Sequence, residues 1–267
     1  AVQQELQPLL RGARPLMLQV LRTRLGQGHQ TSRFPDGPTE LPARFRGRPE
    51  VDATKCKAGC QACAASCPTQ AVTTDPLRID LGACLFCPDC QAACPEQAIA
   101  FSTNHRLAAR SRADLVVESG DTAARAAALG DQLRRLFGRS LKLRQVSAAG
   151  CNGCEAELAA LGNVVFDLGR FGIQFVASPR HADGVVVTGP VSRNMEGALR
   201  ETIAATPTPR IIIAVGACAV SGGPFAGATE CARGVPADIP VDLYVPGCPP
   251  HPLTLLDGLL RMIGRIG

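Results

Sequence analysis

The chain has no tryptophan, one tyrosine and four histidines in 267 residues, and each scarcity removes a class of function. His29, His105, His181 and His251 show neither paired nor HExxH spacing, so an imidazole-built metal centre is not expected. A GxxxxGK[ST] phosphate loop and a GxGxxG turn behind a strand are both missing, which leaves nucleotide and flavin binding without support. Arginine is spread through the first fifty residues and the stretch 106–144, but without the interleaved aromatics of a nucleic-acid surface. No nucleic acid is therefore expected as partner. The longest strongly apolar run, 211–220, is broken by Gly216 and reaches about half of the roughly 20 residues a spanning helix needs, so no transmembrane helix is expected.

What is abundant is cysteine, thirteen residues in a chain that is 46% apolar and long enough for two modest domains with their own cores. Disulfide frameworks of this density belong to short chains behind a secretory leader, and residues 1–10 do not read as one. Metal binding in a reducing compartment is the remaining reading. The net charge of +5 suggests contact with other subunits or with anionic lipid headgroups.

Residues 1–47 begin with a Leu/Arg-rich amphipathic segment from Leu6 to Leu25 and pass into a Pro/Gly-punctuated run, as an arm packing on partner subunits would. An internal repeat occupies 48–103: Cys56-x3-Cys60-x2-Cys63-x3-Cys67-Pro68, then Cys84-x2-Cys87-x2-Cys90-x3-Cys94-Pro95. Residues 104–140 are Arg/Ala-rich, and 122–137 reads as one amphipathic helix, giving a helical linker. From 141 to 267, short apolar runs alternate with helical patterns. Strands are expected at 141–146, 173–177, Gly184–Thr188, Ile211–Val215 and Leu243–Val245, and helices at 155–161, Arg193–Ala205 and 252–263. Such alternation predicts an α/β doubly wound, flavodoxin-like parallel sheet behind an α+β front domain. Cys151, Cys154, Cys218 and Cys248 all follow predicted strands, where open sheets of this type place their binding crevice.

The second copy of the repeat matches the bacterial ferredoxin run, in which three cysteines hold one [4Fe–4S] cluster and the fourth holds the other. On that pattern Cys84, Cys87, Cys90 and Cys67 form one site, and Cys56, Cys60, Cys63 and Cys94 form its mate. The first copy has three residues between Cys56 and Cys60, with Gly59 available to absorb the extra one as a bulge. Structural zinc also uses CxxC pairs and four thiolates, but two tandem copies each closed by Cys-Pro favour clusters.

The third set lies in Cys151-Asn-Gly-Cys154-Glu155, Gly216-Ala-Cys218-Ala-Val-Ser-Gly222-Gly223 and Val245-Pro-Gly247-Cys248-Pro249-Pro250, with Ser178-Pro-Arg-His181-Ala-Asp183 between. These blocks resemble the small subunit of group 4 membrane-bound [NiFe] hydrogenases of the formate hydrogenlyase type, related to the cluster-bearing B subunit of complex I. The complex I subunit has two adjacent cysteines in the first block, so Cys151-Asn-Gly-Cys154-Glu155 is of the hydrogenase form. Residues 30–103, with the Phe45-Arg-Gly-Arg-Pro49 lead-in, resemble the two-cluster ferredoxin subunit of the same complex. The chain thus looks like a fusion of two neighbouring subunits. It departs in having Ala148 where the formate hydrogenlyase small subunit has a further cysteine, and in lacking the ferredoxin subunit's cysteine-rich tail.

The resemblance implies a third [4Fe–4S] cluster on Cys151, Cys154, Cys218 and Cys248, hence three clusters on twelve cysteines carrying iron. It implies an electron-transfer subunit of a multisubunit oxidoreductase whose bond-making site lies in a [NiFe]-hydrogenase-like large subunit, so this chain has no catalytic residue of its own. Integral membrane subunits are implied partners, as is a further ferredoxin-type or formate dehydrogenase electron donor, with the chain peripheral on the cytoplasmic face of the inner membrane. Two other readings stay open: a complex I-like or nickel-free relay to quinone or another acceptor, and a zinc-stapled assembly module without a redox role. Cys231 is left as an idle thiol. Glu155 reads first as a helix-start carboxylate, with proton handling near a partner's active site as the sharper alternative. Gly216, Gly222, Gly223 and Gly247 read either as close-approach residues at the cluster or as plain turns.

Overall fold

The structure, a computed structural model, describes residues 17–38, 41–121 and 128–267. The amphipathic segment expected from Leu6 is helical over 17–27, and its earlier part lies outside the described residues. The helix expected at 122–137 is observed as Asp131–Phe137, and 122–127 likewise lie outside.

Across the repeat the elements are short: β1 (Pro49–Val51), α1 (Ala62–Ala65), β2 (Val72–Thr74), β3 (Leu77–Asp80), α2 (Asp89–Ala93), β4 (Ile99–Phe101) and β5 (Val116–Glu118). β1 pairs antiparallel with β4, and a three-stranded antiparallel sheet runs β2-β3-β5. The two copies of the sequence repeat fold alike. Each cysteine run ends in Cys-Pro, then a glutamine with positive φ (Gln70 at 54°, Gln97 at 51°), then a strand, β2 or β4. The sharp left-handed residue turns the chain so that the next N–H points back at the last cysteine: Ala71 N donates to Cys67 Sγ at 3.2 Å and Ala98 N to Cys94 Sγ at 3.3 Å. β5 comes from the stretch read as helical linker. Leu115 and Val117 alternate inward and are buried, which seats this three-residue strand on β3.

The second half contains α3 (Asp131–Phe137), β6 (Leu141–Ser147), α4 (Gly153–Ala160), β7 (Ile173–Phe175), β8 (Gly184–Thr188), α5 (Arg193–Ala205), β9 (Ile211–Val215), α6 (Gly216–Ser221), β10 (Leu243–Val245) and α7 (Pro252–Met262). Its five strands are all parallel in the order β10-β9-β8-β6-β7. Numbered within the sheet this is the flavodoxin-like order 2-1-3-4-5, with its switch point between β6 and β8. Period-two alternation divides the side chains between two cores. Val186, Ile211, Ile213 and Val215 join Leu158 of α4 and the leucines of α7 on one face. Val185, Val187 and Ile212 join Leu199 of α5 on the other. Both faces are covered, so the strands read as unbroken apolar runs. Each such fully buried aliphatic side chain contributes roughly 1.5–3 kcal/mol.

α7 starts on Pro252, whose missing N–H costs nothing at the first helical position, and His251 caps it by accepting from Leu253 N through Nδ1 at 3.2 Å. All of its residues are buried, so its two charged ones must pair, and Arg261 Nε donates to Asp257 at 2.9 Å. The linker packs against this helix and sews the two halves together. Ala109 exchanges backbone hydrogen bonds with Tyr244 of β10, and Arg110 Nε donates to Asp242 O at 2.9 Å. A side chain on Gly258 would meet Ala108 Cβ at 2.6 Å, so that approach needs glycine.

Candidate metal centres

The thiols of the repeat come together across its two copies: Cys94 of the second lies by Cys63 of the first, and Cys67 of the first lies by Cys84 and Cys90 of the second. The Cys63 thiol is pushed up, first by burial, with the Cys94 and Cys56 sulfurs adding to it. Cys84 is pushed up to about 12, first by burial and then by Cys90, Cys67 and Cys87, against a bond from Phe86 N at 3.3 Å. Cys90 is pushed to about 11, first by burial, with Cys87, Cys67 and also Cys63 of the other set raising it further. Cys60 sits half-buried in the first loop, where Gly59 adopts φ 76° and Cys60 N closes a turn on Lys57 O at 3.1 Å. An added Cβ on Gly59 would meet nothing within 4 Å, so the glycine is there for its backbone angle and absorbs the extra residue.

The other four expected ligands converge at the carboxyl ends of β6, β9 and β10. Cys151, Cys154, Cys218 and Cys248 line one cavity together with Gly150, Glu155 and Gly189. Cys154 is pushed to about 12, first by burial, then by Glu155 and the other three cysteines. Cys218 reaches about 11 through burial and then Cys248 and Cys151. Gly216 follows β9 at φ 86°, and a side chain there would meet Cys154 Sγ at 2.5 Å, so the close-approach reading holds at this position. Cys151, Cys248 and Pro249 are exposed, and the site opens outward on that side.

Glu155 stands in the first turn of α4, where its charge suits the helix dipole. Its carboxylate accepts from Ser147 Oγ and Thr188 Oγ1, both at 2.6 Å, tying the ends of β6 and β8 together across the switch point beneath the site. Burial pushes its acid up, but the two hydroxyl bonds outweigh this and hold it below the usual carboxylate range. Sequence reasoning missed these two hydroxyls and Gly189. Gly189 has φ 82°, and a Cβ there would lie 2.5 Å from Gly150 N. The available signal was Gly189-Pro190 closing the five-residue strand Gly184–Thr188. Cys231 lies apart from the three sets, in an isolated bridge with Ser192.

The donor chemistry fits the cationic core of an iron–sulfur cluster. Buried thiols that raise one another keep their protons at neutral pH, and ligation by iron reverses that by supplying positive charge where the sulfurs converge. Among the described residues no three Cys, His, Asp or Glu side chains come close enough to hold a single ion.

With this geometry in hand, comparison with known proteins is decisive for the second half. The profile of the family described as NADH ubiquinone oxidoreductase, 20 Kd subunit, matches residues 151–262, which hold all four cysteines of the third set. A probable membrane-bound hydrogenase subunit of Pyrococcus furiosus is 38% identical over 135 residues, covering 51% of this chain and 81% of that protein. The chain belongs to the NADH ubiquinone oxidoreductase 20 Kd subunit family. Two further relatives of this 20 Kd family member extend the range. The B subunit of NADH-quinone oxidoreductase from Heliobacterium modesticaldum is 43% identical, covering 45% of this chain and 69% of that one. Formate hydrogenlyase subunit 7 of Escherichia coli is 41% identical over 52% of this chain but only 55% of its own length. The named relatives are thus subunits of multisubunit oxidoreductases, and the similarity covers about half of this chain.

Proposed function

We propose that this chain is the electron-relay subunit of a membrane-bound [NiFe]-hydrogenase-type complex and carries three [4Fe–4S] clusters. The observation that carries the reading is the convergence of Cys151, Cys154, Cys218 and Cys248 at the switch point of a flavodoxin-like sheet in a chain similar to hydrogenase subunits. Residues 48–103 form a two-cluster ferredoxin-like domain on this reading, supported by the paired turns at Gln70 and Gln97 and by the exchanged cysteine sets. Residues 1–47 are an arm for partner subunits, 104–140 the linker and 141–267 the domain of the third cluster.

Bound clusters supply one-electron exchange without bond making. The chain supplies the rest. Cys84, Cys87, Cys90 and Cys67 hold the second cluster, and Cys56, Cys60, Cys63 and Cys94 the first. Backbone donors at Ala71, Phe86 and Ala98 reach Cys67, Cys84 and Cys94, and such N–H···S bonds tune potential. Leu85 and Phe86 of the second set line one cavity with Gly247 and Cys248 of the third, which supports the order first, second, third along the relay. The exposed rim at Cys151 and Cys248 is where a catalytic large subunit is proposed to seat, with integral membrane subunits beyond it on the cytoplasmic face of the inner membrane. No helix among the described residues is long and apolar enough to cross a membrane. Electrons then pass between a ferredoxin-type or formate dehydrogenase donor and proton reduction or hydrogen oxidation in the large subunit.

The 43% identity to a quinone oxidoreductase subunit favours one second reading, a nickel-free relay to quinone or another acceptor. Iron, sulfide, nickel and zinc analysis of the anaerobically purified native complex separates them. About twelve iron in this subunit, as three [4Fe–4S] clusters require, with nickel and hydrogen evolution supports the hydrogenase reading. Iron without nickel or hydrogen moves it to the second, and zinc without iron overturns both.

A further inference from the structure

Between the Cys84–Cys87 loop and the Cys248 loop lies a cavity of about 230 Å³ lined by Leu85, Phe86, Gly247, Cys248 and His251, with Arg46 at its edge. Phe86 is unusual in the second set. It is buried, has φ 55°, donates its N–H to Cys84 Sγ at 3.3 Å, and its carbonyl accepts from Arg46 Nε at 2.5 Å. Arg46 reaches in from forty residues upstream, outside both cysteine runs, so nothing in the repeat itself requires it. We propose that Arg46 is a positioning residue for the second-to-third interval: it pins the strained Phe86 peptide that donates to Cys84 and holds a fixed positive charge between the two sites facing this cavity. The proposal rests on the three-cluster reading above.

The physics is one-sided. A four-thiolate cluster is anionic and gains a further negative charge on reduction, so a nearby guanidinium stabilises the reduced form and raises the potential. Leu85 and Phe86 of the second set's loop and Cys248 of the third line the cavity, and no residue of the first set's loop does, so the first site feels the charge least. The other charged or titratable groups on the cavity are Arg44, Glu157 and His251. Glu157 is the one carboxylate among them, with its acid pushed up by burial alone. Arg44 makes no side-chain hydrogen bond or ion pair among the described residues, which makes it the internal control.

The test is redox titration of each cluster by electron paramagnetic resonance in the anaerobically purified full chain within its complex, with iron counted in every sample. In Arg46→Gln, which keeps a donor and loses the charge, the second and third sites should move to more negative potential than in the parent while the first stays put. Arg46→Lys should restore most of the shift, and Arg44→Gln should give less of it. Unchanged potentials at full iron content, or equal shifts at all three sites, or an equal effect from Arg44→Gln, would overturn the role of Arg46 and leave the three-cluster reading intact. If Arg46→Gln loses the second cluster, Arg46→Lys decides: recovery of the iron with parental potentials supports the role, and failure to recover it overturns it. Parent protein with zinc and no iron would remove both inferences together.

Discussion

In the front half the cysteines are the core, whereas in the back half they sit on top of one. The cluster of buried residues around the repeat includes Cys63, Cys84 and Cys90, with Cys56, Cys67 and Cys94 packed against it, and its longest strand has four residues. Strands this short, in sheets of two and three, are marginal in water without added support. The parallel sheet has a seven-residue strand in β6 and two aliphatic cores, and of its four site cysteines only Cys154 packs against either. The same chemistry is therefore proposed to serve two purposes: in front it holds the fold together, and behind it is carried by a fold that stands without it.

The sharpest way to break this contrast is to take the iron away. Anaerobic chelation should abolish amide protection across β1 to β4 while β6, β8 and β9 stay protected, read by hydrogen exchange. Single variants should divide the same way. Cys218→Ala should lose about four iron, the content of one [4Fe–4S] cluster, and keep the front half ordered. Cys84→Ala should lose about eight, because the second site is part of the core that shapes the first. Equal iron loss in the two variants would refute the asymmetry.

A core substitution behind should act in the opposite sense. Leu143 of β6 is fully buried among Leu141, Ile211 and Ile213, and Leu143→Ala should destabilise the parallel sheet by about 2–5 kcal/mol in a denaturant melt. Front-half iron should be the last thing to respond. This half was also the more legible in sequence. Gly184–Thr188, Arg193–Ala205, Ile211–Val215 and Leu243–Val245 are observed at the expected bounds, because unbroken β-branched runs and one long amphipathic period leave little choice of structure. β5 was hidden, since three residues in an Arg/Ala-rich stretch become a strand only through pairing with β3, a contact no local pattern announces. Glu155 was legible only in part for the same reason. It does stand in the first turn of α4, as a dipole partner would, but Ser147 and Thr188 reach it only once the switch point has formed. The convergence of Cys151, Cys154, Cys218 and Cys248 on one cavity was readable because Cys151, Cys218 and Cys248 each follow a strand.

Alkali offers a milder probe of the same difference. In the cluster-free chain the Cys154 thiol, in the half that stays folded, is raised from an ordinary 9.0 to about 12, first by burial. A raised acid is protonated more strongly in the folded state, so stability is intact below the ordinary value and falls as pH climbs from 9 towards 12. One unit above the ordinary value, such a thiol costs about 1.4 kcal/mol. The apoprotein should therefore melt progressively earlier above pH 9. Iron-loaded protein should not show that loss, because a ligated thiolate has no proton to release. Identical pH profiles for loaded and apo forms would argue against ligation by this cysteine.

The smallest effect is expected where the two halves meet. Arg112, from the linker, makes two bonds to Asp80 at 2.7 and 2.5 Å, and Asp80 also accepts Gly82 N at 2.9 Å at the start of the Cys84 loop. A side chain on Gly82 would meet Val220 of α6 at 2.7 Å, so this latch holds the second site's loop against the helix that carries Cys218. Both partners are about one-third exposed, which limits the pair to about 1 kcal/mol or less of global stability. Its consequence is geometric instead. Arg112→Ala should leave melting and iron nearly unchanged but loosen the spacing of the second and third sites, seen as a weaker and broader magnetic coupling between them in the reduced protein. A coupling identical to the parent would mean that the Ala109–Tyr244 bridge and the buried α7 hold the two halves in place without it.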